Sequence, residues 1–140
     1  MSMVLRAFER DDADAVVALW RACGLVVPWN DPRRDIERKL GEQPELFRVG
    51  IDSGELMASV MVGYDGHRGW MNYLAVSPDR QGNGYGRDLV REAERLLTER
   101  GCPKLNLQVR ASNRSVIDFY QAIGYSSDDV VSLGRRLIAD

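Results

Sequence analysis

The chain has 140 residues, 44% of them hydrophobic and 29% charged, which is the size and composition of one folded unit with its own core, spanning 1–140, rather than of a disordered or fibrous protein. Its 19 basic and 21 acidic side chains give a formal net charge of −2, which argues against a nucleic-acid partner. Cys23 and Cys102 lack a CxxC spacing and His67 is the only histidine, so no metal site is expected.

The opening "MSMVLRAFERDDADAVV" meets charge too early for a signal peptide, and no run approaches the ~20 apolar residues of a membrane span. A cytoplasmic protein without a membrane partner is the expectation. Val4, Leu5 and Phe8 predict a first strand. "RDDADAVVALWRAC" then predicts a helix with Asp11 as N-cap and Ala15, Val16, Leu19, Trp20 and Cys23 as its apolar stripe. Asp31 followed by Pro32 predicts a second helix, short and closed by Gly41, with Ile36 and Leu40 facing inward.

"LFRVGID" and "ELMASVMVGYD", joined at Ser53-Gly54, predict a hairpin, and the turn Asp65–Gly69 leads into a third strand, Trp70–Val76. From Gly84 to Arg100, Leu89, Val90, Ala93, Leu96 and Leu97 recur at helical spacing. "KLNLQV" predicts a strand, Val116, Ile117, Phe119, Tyr120 and Ile123 mark a last helix ending at Gly124, and "DVVSLGRRLI" predicts a final strand. The sum is an α/β (α+β) chain, with an antiparallel front half and a strand–helix–strand crossover behind it.

The segment Gln81-Gly82-Asn83-Gly84-Tyr85-Gly86 lies where a strand passes into a helix. Helix N-termini present unpaired N–H groups, and glycines let a phosphate approach the backbone, so an anion site is expected here, with Gln81, Asn83 and Arg87 adding polar groups. Arg87-Asp88 after the last glycine is not the Lys-Ser/Thr of a P-loop, and position 87 lacks the glycine of a dinucleotide fingerprint.

The pattern (Gln/Arg)-x-x-Gly-x-(Gly/Ala) after "YLAV" resembles the acetyl-coenzyme A loop of the GCN5-related N-acetyltransferases. "SNRSVIDFYQAIGY" is similar to that family's later segment, through Asn113, Tyr120, Gly124 and Tyr125. "VVPWND", "DGHRG" and "VVSLGRRLI" are similar to its small bacterial YpeA-type branch.

The resemblance implies a mixed, mostly antiparallel sheet of six to seven strands flanked by about four helices. It also implies direct acetyl transfer from acetyl-coenzyme A, as cosubstrate, to a primary amine. Carried over residue by residue, it places the cofactor on Leu74, Ala75 and Val76 through their main chain, on Gln81 to Arg87, and on Asn113. Tyr120 becomes the acid that protonates the departing thiolate, against a reading in which it only packs beside Phe119.

Trp29, Asn30 and Asn72 are expected at the acceptor pocket, with Trp29 equally suited to covering the core. The carboxylate that many members carry on the third strand is missing from Trp70-Met71-Asn72-Tyr73. The base stays open between a water held by Tyr73 or Asn72 and the side chains of Asp31, Glu37, Asp65 and His67. The acceptor is a small amine or, as in the ribosomal-protein type of enzyme, a peptide N-terminus. A non-catalytic coenzyme A sensor and a homodimer pairing through the final strand are the other open readings.

Overall fold

The computed structural model describes residues 3–140. Five strands form one sheet in the order of the sequence: β1 (Val4–Ala7), β2 (Phe47–Asp52), β3 (Glu55–Tyr64), β4 (Gly69–Val76) and β5 (Leu105–Asn106). The first four pair antiparallel and β5 joins β4 in parallel. Helices α1 (Ala13–Ala22) and α2 (Pro32–Leu40) cover one face, and α3 (Tyr85–Glu99) and α4 (Arg114–Ala122) the other.

Each face buries its own core. Val16, Val17, Leu19 and Trp20 of α1 meet Phe47, Val49 and Ala75, whereas Leu89, Val90, Ala93 and Leu97 of α3 meet Val60, Val62 and Met71. The alternation of strand side chains divides the apolar residues between the two layers. Asp31 caps α2 as expected, its side chain accepting from the N–H of Arg33 and Arg34. The hairpin turns at Ser53 (φ 54°) and Gly54 (φ 79°), the backbone of a type I′ turn.

Three expectations need correction. The first helix is preceded by a 3-10 turn, Arg10–Asp12, closed by reciprocal bonds between Glu9 and Asp12, so Asp11 is not its cap. The sheet has five strands among the described residues, not six or seven. The final segment forms no ladder: it runs beside the β5 region with side-chain bonds only, from Gln108 to Ser132 and from Lys104 to Asp128, and leaves Val130, Val131, Leu133 and Leu137 exposed. Its apolar residues have no second layer to face, so the strand-like pattern is not used for pairing. No helix among the described residues is long and apolar enough to cross a membrane.

Candidate active site

The sheet opens between its last two strands. β4 and β5 pair only at Gly69 with Leu105 and Trp70 with Asn106, and beyond these residues the two parallel chains separate. A cleft of about 980 Å³ fills the gap, with Met71 to Leu74 on one wall and Leu107 to Arg110 on the other. A bulge shapes the first wall. Met61 pairs with Asn72 and Ser59 with Ala75, so Tyr73 and Leu74 together oppose Val60.

Tyr73 carries the strain of that bulge at φ 52°, a left-handed conformation that an aromatic side chain adopts rarely. Its ring stacks on Trp20 with centroids 3.8 Å apart. The Trp20 indole N–H donates to Ser59 Oγ at 2.9 Å, and Ser59 Oγ donates to the Tyr73 carbonyl at 2.8 Å. A buried chain of bonds therefore fixes the bulge from beneath.

At the C-terminal end of β4 the chain enters the glycine loop, with Gly82 at φ 84° and Gly84 at φ 83°. None of the main-chain N–H groups from Gly82 to Arg87 has a hydrogen-bond partner among the described residues. Six donors at a helix N-terminus, where the helix dipole also favours negative charge, are left available to an anion. Open space surrounds Gly82 and Gly84, where an added Cβ would meet nothing within 4 Å.

The side chains of the loop mostly serve the loop itself. Gln81 donates to the Val76 carbonyl at 3.0 Å and Asn83 to the Arg80 carbonyl at 3.0 Å, while Tyr85 is buried with its hydroxyl 3.4 Å from Asp52. Arg87 is exposed on the first turn of α3 and meets no carboxylate among the described residues. Ala75 and Val76 bury their side chains, so they can offer a ligand only main chain, and the Val76 carbonyl already accepts from Gln81 and from the Cys23 thiol.

Tyr120 is buried on α4 and lines the cleft, edge-on to Phe119 and Tyr125. Its hydroxyl has no hydrogen-bond partner among the described residues, and burial pushes it up to about 12. Gly86 packs against the neighbouring Phe119, whose Cζ lies 3.4 Å from where a Cβ would stand, so the loop helix and the Tyr120 helix are in contact at this glycine. Asn113 precedes α4 and lines the cleft without bonding a helix N–H through its side chain.

On the opposite side, Tyr73 donates to Asp35 Oδ2 at 2.7 Å, and the Asn30 amide donates to the Tyr73 hydroxyl at 3.0 Å and to the same carboxylate. Burial and then the Asp35 carboxylate raise the Tyr73 phenol well above its ordinary range, so it holds its proton. Asn72 and Trp29 also line the cleft, Trp29 being 57% exposed under the Arg110 guanidinium.

Asp31, Glu37, Asp65 and His67 stay outside it. Asp31 is spent on its cap, Glu37 pairs with Arg10, and Asp65 accepts from the N–H of His67 and Arg68 in its turn. The residues α2 does bring to the cleft are Asp35, Arg38 and Lys39, and Glu42 reaches it from just past the helix end. Asp35, Arg38 and Lys39, spaced three and four apart, form one helix face, a pattern legible in the sequence.

A family model described as "Acetyltransferase (GNAT) family" matches residues 13–125. This chain belongs to that acetyltransferase family. A Yersinia pestis acetyltransferase is 49% identical over 138 residues, covering 99% of this chain and 98% of its own. Among solved structures, the ribosomal-protein-S18-alanine N-acetyltransferase of Escherichia coli superposes with a TM-score of 0.72 at 25% identity, covering 88% of this chain and 77% of its own. The structure of AAC(6')-Iy in complex with a coenzyme A bisubstrate analogue superposes with a TM-score of 0.79 at 16% identity, covering 99% of this chain and 100% of its own.

The full-length likeness makes the chain an enzyme, an acetyltransferase, and the family uses acetyl-coenzyme A and acts on amines. For such an enzyme the structure offers an unpaired row of donors on the glycine loop and, lining the cleft, the buried Tyr120 phenol and the Asp35 carboxylate.

Proposed function

We propose that this enzyme binds acetyl-coenzyme A along β4 and the glycine loop and transfers the acetyl group directly to a primary amine entering between α2 and Arg110. The observation that carries the reading is the run of six unpartnered N–H groups, Gly82 to Arg87, on the loop that follows the β4 wall of the cleft and meets, at Gly86 and Phe119, the helix that carries Tyr120 into it. Acetyl-coenzyme A supplies the acetyl group activated as a thioester.

The residues divide the work. The loop amides and Arg87 hold the pyrophosphate, and the main chain of Leu74 and Ala75, left without a β5 partner, receives the pantetheine arm. Asn113 steadies that arm from the facing wall. The amine arrives as an ammonium ion and must lose a proton before it attacks. Tyr73 keeps its own proton, so the acceptor of the amine's proton is the Asp35 carboxylate, reached through a water on the Asp35–Tyr73 pair. Tyr120 remains protonated and delivers its proton to the departing sulfur.

Thiol release from acetyl-coenzyme A is measured with a panel of small amines and peptides, beside a calorimetric titration of coenzyme A. Micromolar binding with release on some of these acceptors is expected. Tight binding with no release on any of them would overturn the transfer and leave a coenzyme A sensor.

A further inference from the structure

We propose that the acceptor carries an anionic group, a carboxylate or a phosphate, a few bonds from the reacting nitrogen, and that Arg110 and Arg136 receive it. The inference rests on the acceptor reading given above. Although Arg68, Arg87 and Arg91 form no ion pair among the described residues, many guanidinium groups elsewhere in the molecule meet carboxylates, as Arg6 does with Asp12, Arg33 with Asp14, Arg80 with Asp52 and Arg100 with Glu45. At the mouth of the acceptor side they do not. Arg136 donates only to neutral oxygens, the Ile138 carbonyl and Asn30 Oδ1, both at 3.2 Å.

Arg110 lies 5.9 Å over the Trp29 ring and has no carboxylate within ion-pair distance among the described residues, nor does Arg135. Arg38 is the contrast, since Asp35 and Asp140 both neutralise it. Glu42 is the remaining acid on the cleft, and it acts on Lys39.

A second recess of about 580 Å³ adjoins the cleft and shares Trp29, Arg38 and Arg136 with it, adding Arg135 and the apolar Leu137 and Ile138. Two guanidinium groups that form no ion pair, Arg136 acting on Asp140 only beyond ion-pair distance, an exposed indole and an open apolar surface suit an anion on a short organic stem. The other end of the acceptor has its place as well. One amide side chain, Asn30, accepts from Arg136 and donates to Asp35 and Tyr73, so the anion end and the amine end lie a short side chain apart. That arrangement fits an acceptor with opposite charges at its two ends, and it penalises a polyamine.

The test uses matched pairs, phosphoethanolamine against ethanolamine and β-alanine against propylamine, with a free-N-terminus peptide as a third arm. Thiol release gives kcat/KM for each, and titration into the coenzyme A-loaded enzyme gives affinity without turnover. The anionic member of each pair is expected to be favoured by about tenfold or more, with the preference shrinking as salt is added. Arg136→Gln and Arg110→Gln should each bring the ratio toward one, whereas Arg33→Gln, on the outer side of α2, should keep it.

Equal use of both members, a preference that survives in both variants, or turnover confined to the peptide would overturn the proposal. Absence of thiol release from every acceptor would instead overturn the transfer reading. The titration then still decides, since failure of the loaded enzyme to bind either anionic amine above its neutral partner refutes the anion site by itself.

Discussion

Replacing Ser59 with alanine tests how the strained wall of the cleft is held. Ser59 is fully buried, accepts from Trp20 Nε1–H at 2.9 Å and donates to the Tyr73 carbonyl at 2.8 Å. The alanine variant removes one oxygen and strands two buried partners, an indole donor and a peptide acceptor. A buried polar group left without a partner costs roughly 1–3 kcal/mol, so the two together cost about 2–6 kcal/mol. For a chain of this size that is a fall in Tm of about 10 °C. Urea titration should show a lower midpoint with an unchanged slope, because the surface exposed on unfolding is the same.

The second readout is functional. Tyr73 sits in a backbone region that costs of order 1–3 kcal/mol, and the Ser59 bond is what its carbonyl gains there. Freed of it, Tyr73 can turn, which disturbs its bonds to Asn30 and Asp35 but leaves the distant glycine loop alone. The KM for the amine should rise several-fold while coenzyme A affinity stays within about twofold of the parent. A Tm lowered by less than about 2 °C, or a loss of coenzyme A affinity matching the loss for the amine, would refute the reasoning.

Gly84→Asp should abolish coenzyme A binding in calorimetry, since it puts a carboxylate and a disfavoured φ at the anion cradle; retained affinity would move the cradle elsewhere. Tyr120→Phe should lower kcat by about 100-fold and leave coenzyme A affinity unchanged, and a full rate would return Tyr120 to packing alone. An acid acts while protonated and burial raises Tyr120 to about 12, so kcat/KM should climb as the amine deprotonates and show no falling limb up to about pH 10; a limb falling near pH 8 would name a different acid. Asp52→Asn should raise the KM for acetyl-coenzyme A with little change in kcat, because Asp52 holds Arg80 at 3.2 Å and the Tyr85 hydroxyl at 3.4 Å on either side of the loop.

Local signals in the chain led to the right elements where one residue type had one physical use. Asp31-Pro32 could only start a helix, and Ser53-Gly54 could only close a hairpin. The apolar run at the end of the chain misled because period-two patterning marks a capacity to pair, and no neighbouring edge takes it up. In the site, the loop and Tyr120 were legible as motifs, yet the division of labour within the loop was not. That Gln81, Asn83 and Tyr85 point at Val76, Arg80 and Asp52 depends on contacts made across the fold. Asp35 carries no local mark that separates it from Glu37 on the same helix, because its meaning comes from Tyr73, 38 residues away, brought beside it by the bulge.

Gly86 touching Phe119 makes the chain's smallest residue a spacer between two chemical events. In the proposed reaction the ligand's charged end is held on one helix and its sulfur is protonated from the other, and the Gly86–Phe119 contact sets the distance between them. A larger residue there would not weaken the grip so much as mistime the release. Such an enzyme would hold its donor well and turn over slowly, a defect that a binding assay alone would miss.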